Sequence, residues 1–294
     1  MPHFQSLSFI MIVLFTCSHC AVDSTNRTEP APSNQNPPLE RPYILGGKMD
    51  SGNLYASTLM LSVRLNKHDL GDCSGVLISP HRVLTAAHCV CLEKPATSPL
   101  RDARTVIDGS ICLDTVSVTA AIYGNAAPEK FSTGNKIEPH PRLRLEYDGD
   151  GNLISAESDL AVIHLTSAIP GIRSVELSTK EIAPGSAVAL VGFGNTDLAR
   201  EPDSRKRYFG RTEISQVDGE ILRVTKPGAH AYAGDSGGPC FRWERGKARP
   251  ALVGIIRGGS APVYSTITST VFPKNREWIE KIQREDSQGD TDSP

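Results

Sequence analysis

Apolar residues along this chain come in short runs, and most of the runs have the length and composition of strands. "LMLSVRL" (Leu59–Leu65), "GVLISP" (Gly75–Pro80), "RVLTAA" (Arg82–Ala87), "LAVIHL" (Leu160–Leu165), "SAVALVGFG" (Ser186–Gly194), "ALVGIIRG" (Ala251–Gly258) and "APVYSTI" (Ala261–Ile267) are rich in Val, Ile and Leu. Gly, Pro, Asn or Asp separates them, as in antiparallel sheets closed into barrels. Only "NREWIEKIQRE" (Asn275–Glu285) has helical spacing, with Trp278, Ile279 and Ile282 on one face and Pro273 just ahead. Within Cys73–Cys89 the pattern predicts a hairpin: strand Val76–Ile78, a turn through Ser79 to Arg82, and strand Val83–Thr85.

Both ends break this pattern. "LSFIMIVLF" (Leu7–Phe15) is too short an apolar run to span a bilayer and reads as an export signal over residues 1–20, cleaved after Cys20. Alternatively "LFTC" loosely resembles a lipoprotein box, with lipid carried on Cys17. The "CSHC" spacing suggests metal or redox chemistry, but beside an export segment we assign it none. Residues 21–43 are rich in Pro, Asn, Ser and Thr, cannot offset their ordering entropy by burial, and are expected to form a linker or pro-segment. They include the sequon Asn26-Arg27-Thr28. Residues 286–294 are expected to form a disordered acidic tail.

Composition narrows the function. Of 294 residues, 31 are Lys or Arg and 33 Asp or Glu, a net charge of -2 with no dense basic run, so nucleic acid is excluded as a partner. With 25 Gly and 21 Pro against 6% aromatics, the chain suits strands and turns better than a helical bundle.

Three stretches carry candidate chemistry. "TAAHC" ends a predicted strand at His88, "SDLAVIHL" sets Asp159 just before another, and "HAYAGDSGGPC" holds Ser236 between an aspartate and two glycines. A serine hydroxyl is a weak nucleophile at neutral pH and needs a base in contact, which a histidine supplies near its unperturbed pKa. No metal or other cofactor is expected. "DGDGN" (Asp148–Asn152) resembles the opening of a calcium loop, but Leu153 stands where the required glycine belongs, and a surface loop is the better reading. His81 and His164 have no ligand neighbour at metal spacing.

Together, in the order His, Asp, Ser, these motifs resemble the chymotrypsin/trypsin-like serine endopeptidases over roughly Ile44 to Arg284. The resemblance implies an all-β fold of two antiparallel Greek-key barrels with a C-terminal helix. The first barrel, residues 44–172, would carry His88 and Asp159, and the second, residues 173–285, Ser236. It implies an acyl-enzyme mechanism, with the N–H groups of Gly234 and Ser236 as the oxyanion hole. Proteins or peptides are the implied substrates. "YILGGK" resembles the family's mature start, which would make the chain a zymogen. Its new ammonium at Ile44 would pair with Asp235, freed by an unknown activating protease that cuts after Tyr43 rather than after Arg or Lys.

At the substrate pocket the chain departs from the family. His230 stands at the pocket floor where an acid selects Arg or Lys, while Arg257, Gly258 and Gly259 replace the usual Ser-Trp-Gly wall. His230 and Arg257 together suit a Glu or Asp side chain; alternatively Arg257 points to solvent and His230 lines a pocket for neutral residues. The family pairs Cys73 with Cys89. Cys91 and Cys112 are expected to form a second bridge, which leaves Cys240 unpaired, and Tyr232 replaces the first cysteine of the pocket disulfide. Sparse bridges and the lipoprotein-like linker suggest a bacterial member, secreted or extracytoplasmic, with membrane attachment only through Cys17. The altered pocket wall keeps a second class open, a catalytically silent protease-like binding protein.

Overall fold

The computed structural model describes residues 44, 47–64, 70–96, 103–124, 129–194, 206–225, 227–260 and 263–289. The export signal, the lipid-anchor alternative at Cys17, the sequon and the linker of residues 21–43 lie outside the described residues. Chain order begins with β1 (Lys48–Met49), β2 (Thr58–Arg64), β3 (Leu70–Ser79), β4 (Arg82–Thr85), β5 (Lys94–Pro95) and β6 (Thr105–Ile107). It continues with β7 (Val116–Ala121), β8 (Glu129–Pro139), β9 (Arg144–Tyr147), β10 (Leu153–Glu157), β11 (Ala161–Leu165) and β12 (Ala187–Gly192). The last third holds β13 (Tyr208–Glu213), β14 (Gln216–Asp218), β15 (Ile221–Thr225), β16 (Pro239–Arg242), β17 (Ala251–Ser260), β18 (Tyr264–Ser269) and the helix α1 (Pro273–Gly289).

Six of these strands close a barrel in the order β11-β4-β3-β2-β7-β8, and eight form an antiparallel sheet in the order β1-β13-β12-β16-β17-β18-β15-β14. This is the two-barrel, chymotrypsin-like architecture. A smaller sheet, β10-β9-β6-β5, is built from the long segment between His88 and Asp159. The bridge Cys91–Cys112 ties down its base, and Cys73–Cys89 joins β3 to the turn of 3-10 helix, Ala87–Cys89, that carries His88. Cys240 is free and buried.

The expected boundaries shift at both ends. Ile44 was expected with the first barrel; its side chain is fully buried against Val188, Leu190, Ile214 and Ala229 of the second core, and β1 pairs with β13. Apolar burial of that size is worth about 2 kcal/mol. At the other end α1 runs on to Gly289, past the expected stop at Glu285. Ile279 and Ile282 pack into the large cluster that fills the first barrel and its junction with the second sheet. Asp286, expected in a disordered tail, is buried, accepting from the Ser79 hydroxyl at 2.6 Å and pairing with Arg82 at 2.9 Å. A carboxylate one turn beyond the last apolar position thus fastens the helix to the β3–β4 hairpin. Among the described residues no helix is long and apolar enough to cross a membrane.

Candidate active site

β4 ends at Thr85, and the short helical turn after it presents the His88 ring, about a quarter exposed, at the mouth between the two sheets. Asp159 lies at the start of β11, which pairs with β4 through Ala161↔Thr85, so strand register alone brings the two residues side by side. The His88 ring Nδ1 is 2.7 Å from Asp159 Oδ2, and the His88 backbone N–H donates to Oδ1 at 3.0 Å. Both carboxylate oxygens are committed to one residue, which fixes the tautomer and leaves Nε2 with only the Cys89 sulfur, at 3.9 Å, beside it among the described residues. Burial opposes charge on the ring and Arg257 adds to that opposition, yet the adjacent carboxylate prevails and the His88 pKa rises above 6.5. Burial likewise opposes charge on Asp159, but the bonds and charge from His88 prevail and its pKa falls.

Ser158, just before Asp159, has φ +46, a left-handed conformation that costs a non-glycine residue energy and needs support from its surroundings. Support comes from the other sheet. Glu220 accepts from the Ser158 backbone N–H and, at 3.0 Å, from its hydroxyl, while Asn275 at the start of α1 donates to the same carboxylate at 3.2 Å.

Ser236 arrives on the turn before β16. Ser74, fully buried in β3, is the staple: its N–H donates to Ser236 O at 2.7 Å, its hydroxyl to Gly234 O at 2.9 Å, and the Phe193 N–H donates to that hydroxyl at 3.0 Å. Gly237 has φ +80, and a Cβ there would overlap Ser74 O and Thr85 Oγ1. The glycine after the serine therefore allows the turn to press against β3 and β4, three residues from His88. Among the described residues, the backbone N–H groups of Gly234 and Ser236 take no hydrogen bond. Ser236 Oγ rests 3.5 Å from the Arg257 carbonyl rather than on Nε2 of His88.

Asp235 is wholly buried. Burial pushes its carboxyl up to about 7, against the N–H donors of Tyr232 and Gly194 at 2.8 and 2.9 Å, and no cation pairs with it among the described residues.

The predicted pocket residues differ in exposure. His230 is buried, and beside it the Ala231 N–H donates to Ser265 Oγ at 3.0 Å. Arg257 is half-buried and lines a groove with β10, β14 and β15, a lining that does not include His230 or the exposed Gly259. The β10 wall of this groove comes from the long segment before Asp159. Asp148, read as a surface loop, caps the β9–β10 turn through the N–H groups of Asp150 and Asn152. Among the described residues no group of His, Cys, Asp or Glu could hold a metal ion.

A histidine held by an aspartate on one side and a serine brought in from the other are the groups a serine-type hydrolase uses. The trypsin family's sequence model matches residues 44–279, and the chain belongs to that family: it is a serine endopeptidase acting on proteins or peptides. It is similar to the serine protease SP24D of Anopheles gambiae, 27% identical over 217 residues covering 68% of this chain and 70% of that one. Kallikrein-15 of Saguinus oedipus is 24% identical over 268 residues (81% and 91%), and trypsin alpha-4 of Lucilia cuprina 24% over 264 (84% and 87%). These are animal proteins, and the bacterial source expected from the sparse bridges finds no support among them.

Proposed function

We propose that Ser236, His88 and Asp159 form the catalytic triad of an exported endopeptidase made as a zymogen and activated by cleavage before Ile44. The two-point grip of Asp159 on His88, 2.7 and 3.0 Å, is the observation that carries this reading. As Ser236 Oγ attacks the scissile carbonyl carbon, His88 Nε2 takes its proton. The negative charge that builds on the carbonyl oxygen meets the free N–H groups of Gly234 and Ser236, each such donor contributing roughly 3 kcal/mol. His88 then gives the proton to the leaving amine as the C–N bond breaks, and water hydrolyses the acyl-enzyme by the same steps in reverse. A rotation of the Ser236 side chain away from the Arg257 carbonyl precedes attack. Such bonds are often unmade until substrate arrives.

In the zymogen reading, the ammonium freed at Ile44 supplies the missing partner of Asp235. Export by residues 1–20 fits two disulfides, which persist in oxidising compartments. Protein starting at Ile44 should be labelled by a fluorophosphonate, and Ser236→Ala should not. Absence of labelling in the mature form would return the chain to the catalytically silent, binding class. N-terminal sequencing of the natural product reports cleavage after Cys20, lipid at Cys17 and activation before Ile44 in one measurement.

A further inference from the structure

Beyond the nucleophile, strand β17 loses a neighbour. Its pairing with β16 ends at Pro239↔Ile255, and the bonds of Ile256 with Gly237 and Gly238 are the last on that side. On the other side β18 continues through Gly258↔Thr266 and Gly259↔Ser265. Among the described residues, Arg257 to Gly259 therefore present one free backbone edge, beginning at the residue whose carbonyl lies 3.5 Å from Ser236 Oγ. An extended peptide adds to such an edge through main-chain bonds, with alternate side chains entering whatever lies beside it. Antiparallel addition, the better-bonded arrangement, puts the scissile carbonyl at Ser236 and runs the residues before it past Gly258 and Gly259.

What lies beside this edge is a groove of about 230 Å³ walled by β10, β14 and β15. Its charged groups are the guanidiniums of Arg257 and Arg223 and the carboxylate of Asp218. Arg223 is stacked over the Tyr264 ring at 5.1 Å. The Arg257 guanidinium makes no hydrogen bond or ion pair with any described residue. Asp159, within its electrostatic reach, has both oxygens committed to His88. A half-buried cation that makes no ion pair among the described residues, on the path of the substrate backbone, is a site for an anion.

We infer that Arg257 binds the carboxylate of a Glu or Asp side chain two to four residues before the scissile bond. The enzyme's substrates would then be proteins with an acidic residue upstream of the cut, selected in this groove and not in the pocket over His230. This rests on the proteolytic reading above.

The test uses protein starting at Ile44, its active sites counted with a fluorophosphonate, and peptides carrying Glu, Gln or Lys at the second, third and fourth positions before the cleaved bond. Glu should exceed Gln in kcat/KM by about tenfold at one of these positions, as for a charge-assisted bond at a part-exposed site, with Lys poorest. The ratio should shrink in 1 M salt, approach one in Arg257→Gln and invert in Arg257→Glu. Protein that labels and cleaves but treats Glu and Gln alike at all three positions, or keeps its preference in Arg257→Gln, overturns the acidic subsite and leaves proteolysis standing. Protein that does not label overturns both. Should Arg257→Gln fail to label, the wild-type ratio and its loss in salt decide.

Discussion

Glu220 reaches from the turn before β15 to hold Ser158, taking both its backbone N–H and its hydroxyl. The second sheet thereby fixes the left-handed residue that aims Asp159, which belongs to the first barrel. Glu220→Gln keeps the shape but turns one acceptor into a donor facing Ser158 and Asn275, which are donors themselves. A buried donor left unmade costs about 1–3 kcal/mol, so the urea midpoint should fall. Asp159 should lose its aim, lowering kcat by roughly tenfold with little change in KM. A purely structural role would lower the fraction of fluorophosphonate-reactive sites and leave kcat per site untouched.

The acid limb of activity follows from His88. The proposed mechanism needs Nε2 unprotonated, and the ring's pKa is raised above 6.5, so kcat/KM on a neutral peptide should fall as pH drops through a value above 6.5. Arg257 is among the groups that oppose the protonated ring. Removing its charge in Arg257→Gln should therefore move the acid limb to higher pH. A pH profile from 5 to 9 measures this, and a limb that stays put or moves down places the guanidinium out of reach of the dyad.

Much of this candidate site was legible in the sequence because its proposed chemistry rests on a few residue types in fixed local contexts: TAAHC, SDLA and GDSGGP single out its candidate residues before any coordinates. The strands read from the sequence are those with continuous apolar runs, such as β11 and β17. β8 carried no such signal. Its inward positions include Ser132 and Gly134, and at Gly134 a Cβ would overlap the Ile163 side chain. There the barrel is closed by small residues, which leave no hydrophobic alternation to see. Ser74, Glu220 and Asn275 were missed for a related reason. Each acts through a partner far along the chain, at separations of 160, 62 and 55 residues, and nothing local distinguishes it from a surface polar residue. Ser158 offered a faint hint, a polar residue directly ahead of the acid. Arg257 was noticed for its charge but the groove it lines was not, since the β10 wall comes from an insertion whose fold has no short-range pattern.

Asp235 predicts how the proposed activation before Ile44 would change stability. In the uncut chain its carboxyl titrates near 7, against 3.8 for an ordinary aspartate. Between those values the folded form holds a proton that the unfolded form has released, so stability declines as pH rises from about 4 to 7 and stays low above that. A charged amine beside the carboxylate removes the penalty. The form starting at Ile44 should therefore melt higher than the uncut chain, with a gap that widens between pH 4 and 7 and reaches roughly 5 °C or more at neutral pH. Asp235→Asn should flatten the uncut chain's dependence. Calorimetry of the cut, uncut and Asp235→Asn proteins tests this, and parallel pH curves for the cut and uncut forms would falsify it.

Arg207 and Asp50 form a second long-range device, and one that concerns the same N-terminal segment. Both side chains are wholly buried, and Nε lies 2.8 Å from Oδ2. The guanidinium also donates to Ala121 O at 3.0 Å and lies over the rings of Tyr123 and Phe193, while Asp50 accepts the N–H groups of Leu54 and Tyr55 at 2.9 Å. Breaking such a pair strands a charge in the interior and costs about 3–5 kcal/mol, whereas replacing both partners by apolar residues of similar volume costs far less. Arg207→Met alone should thus be more damaging than Arg207→Met combined with Asp50→Leu, and a double-mutant cycle on urea midpoints should return a coupling of at least ~2 kcal/mol. The pair also closes the ladder that docks β1 on β13, since the Asp50 N–H donates to Arg207 O at 2.9 Å. Loosening it frees the segment that begins at Ile44. Arg207→Met should therefore lose activity at temperatures where it is still folded, by a fall in the fraction of sites reactive to fluorophosphonate rather than in kcat per reactive site.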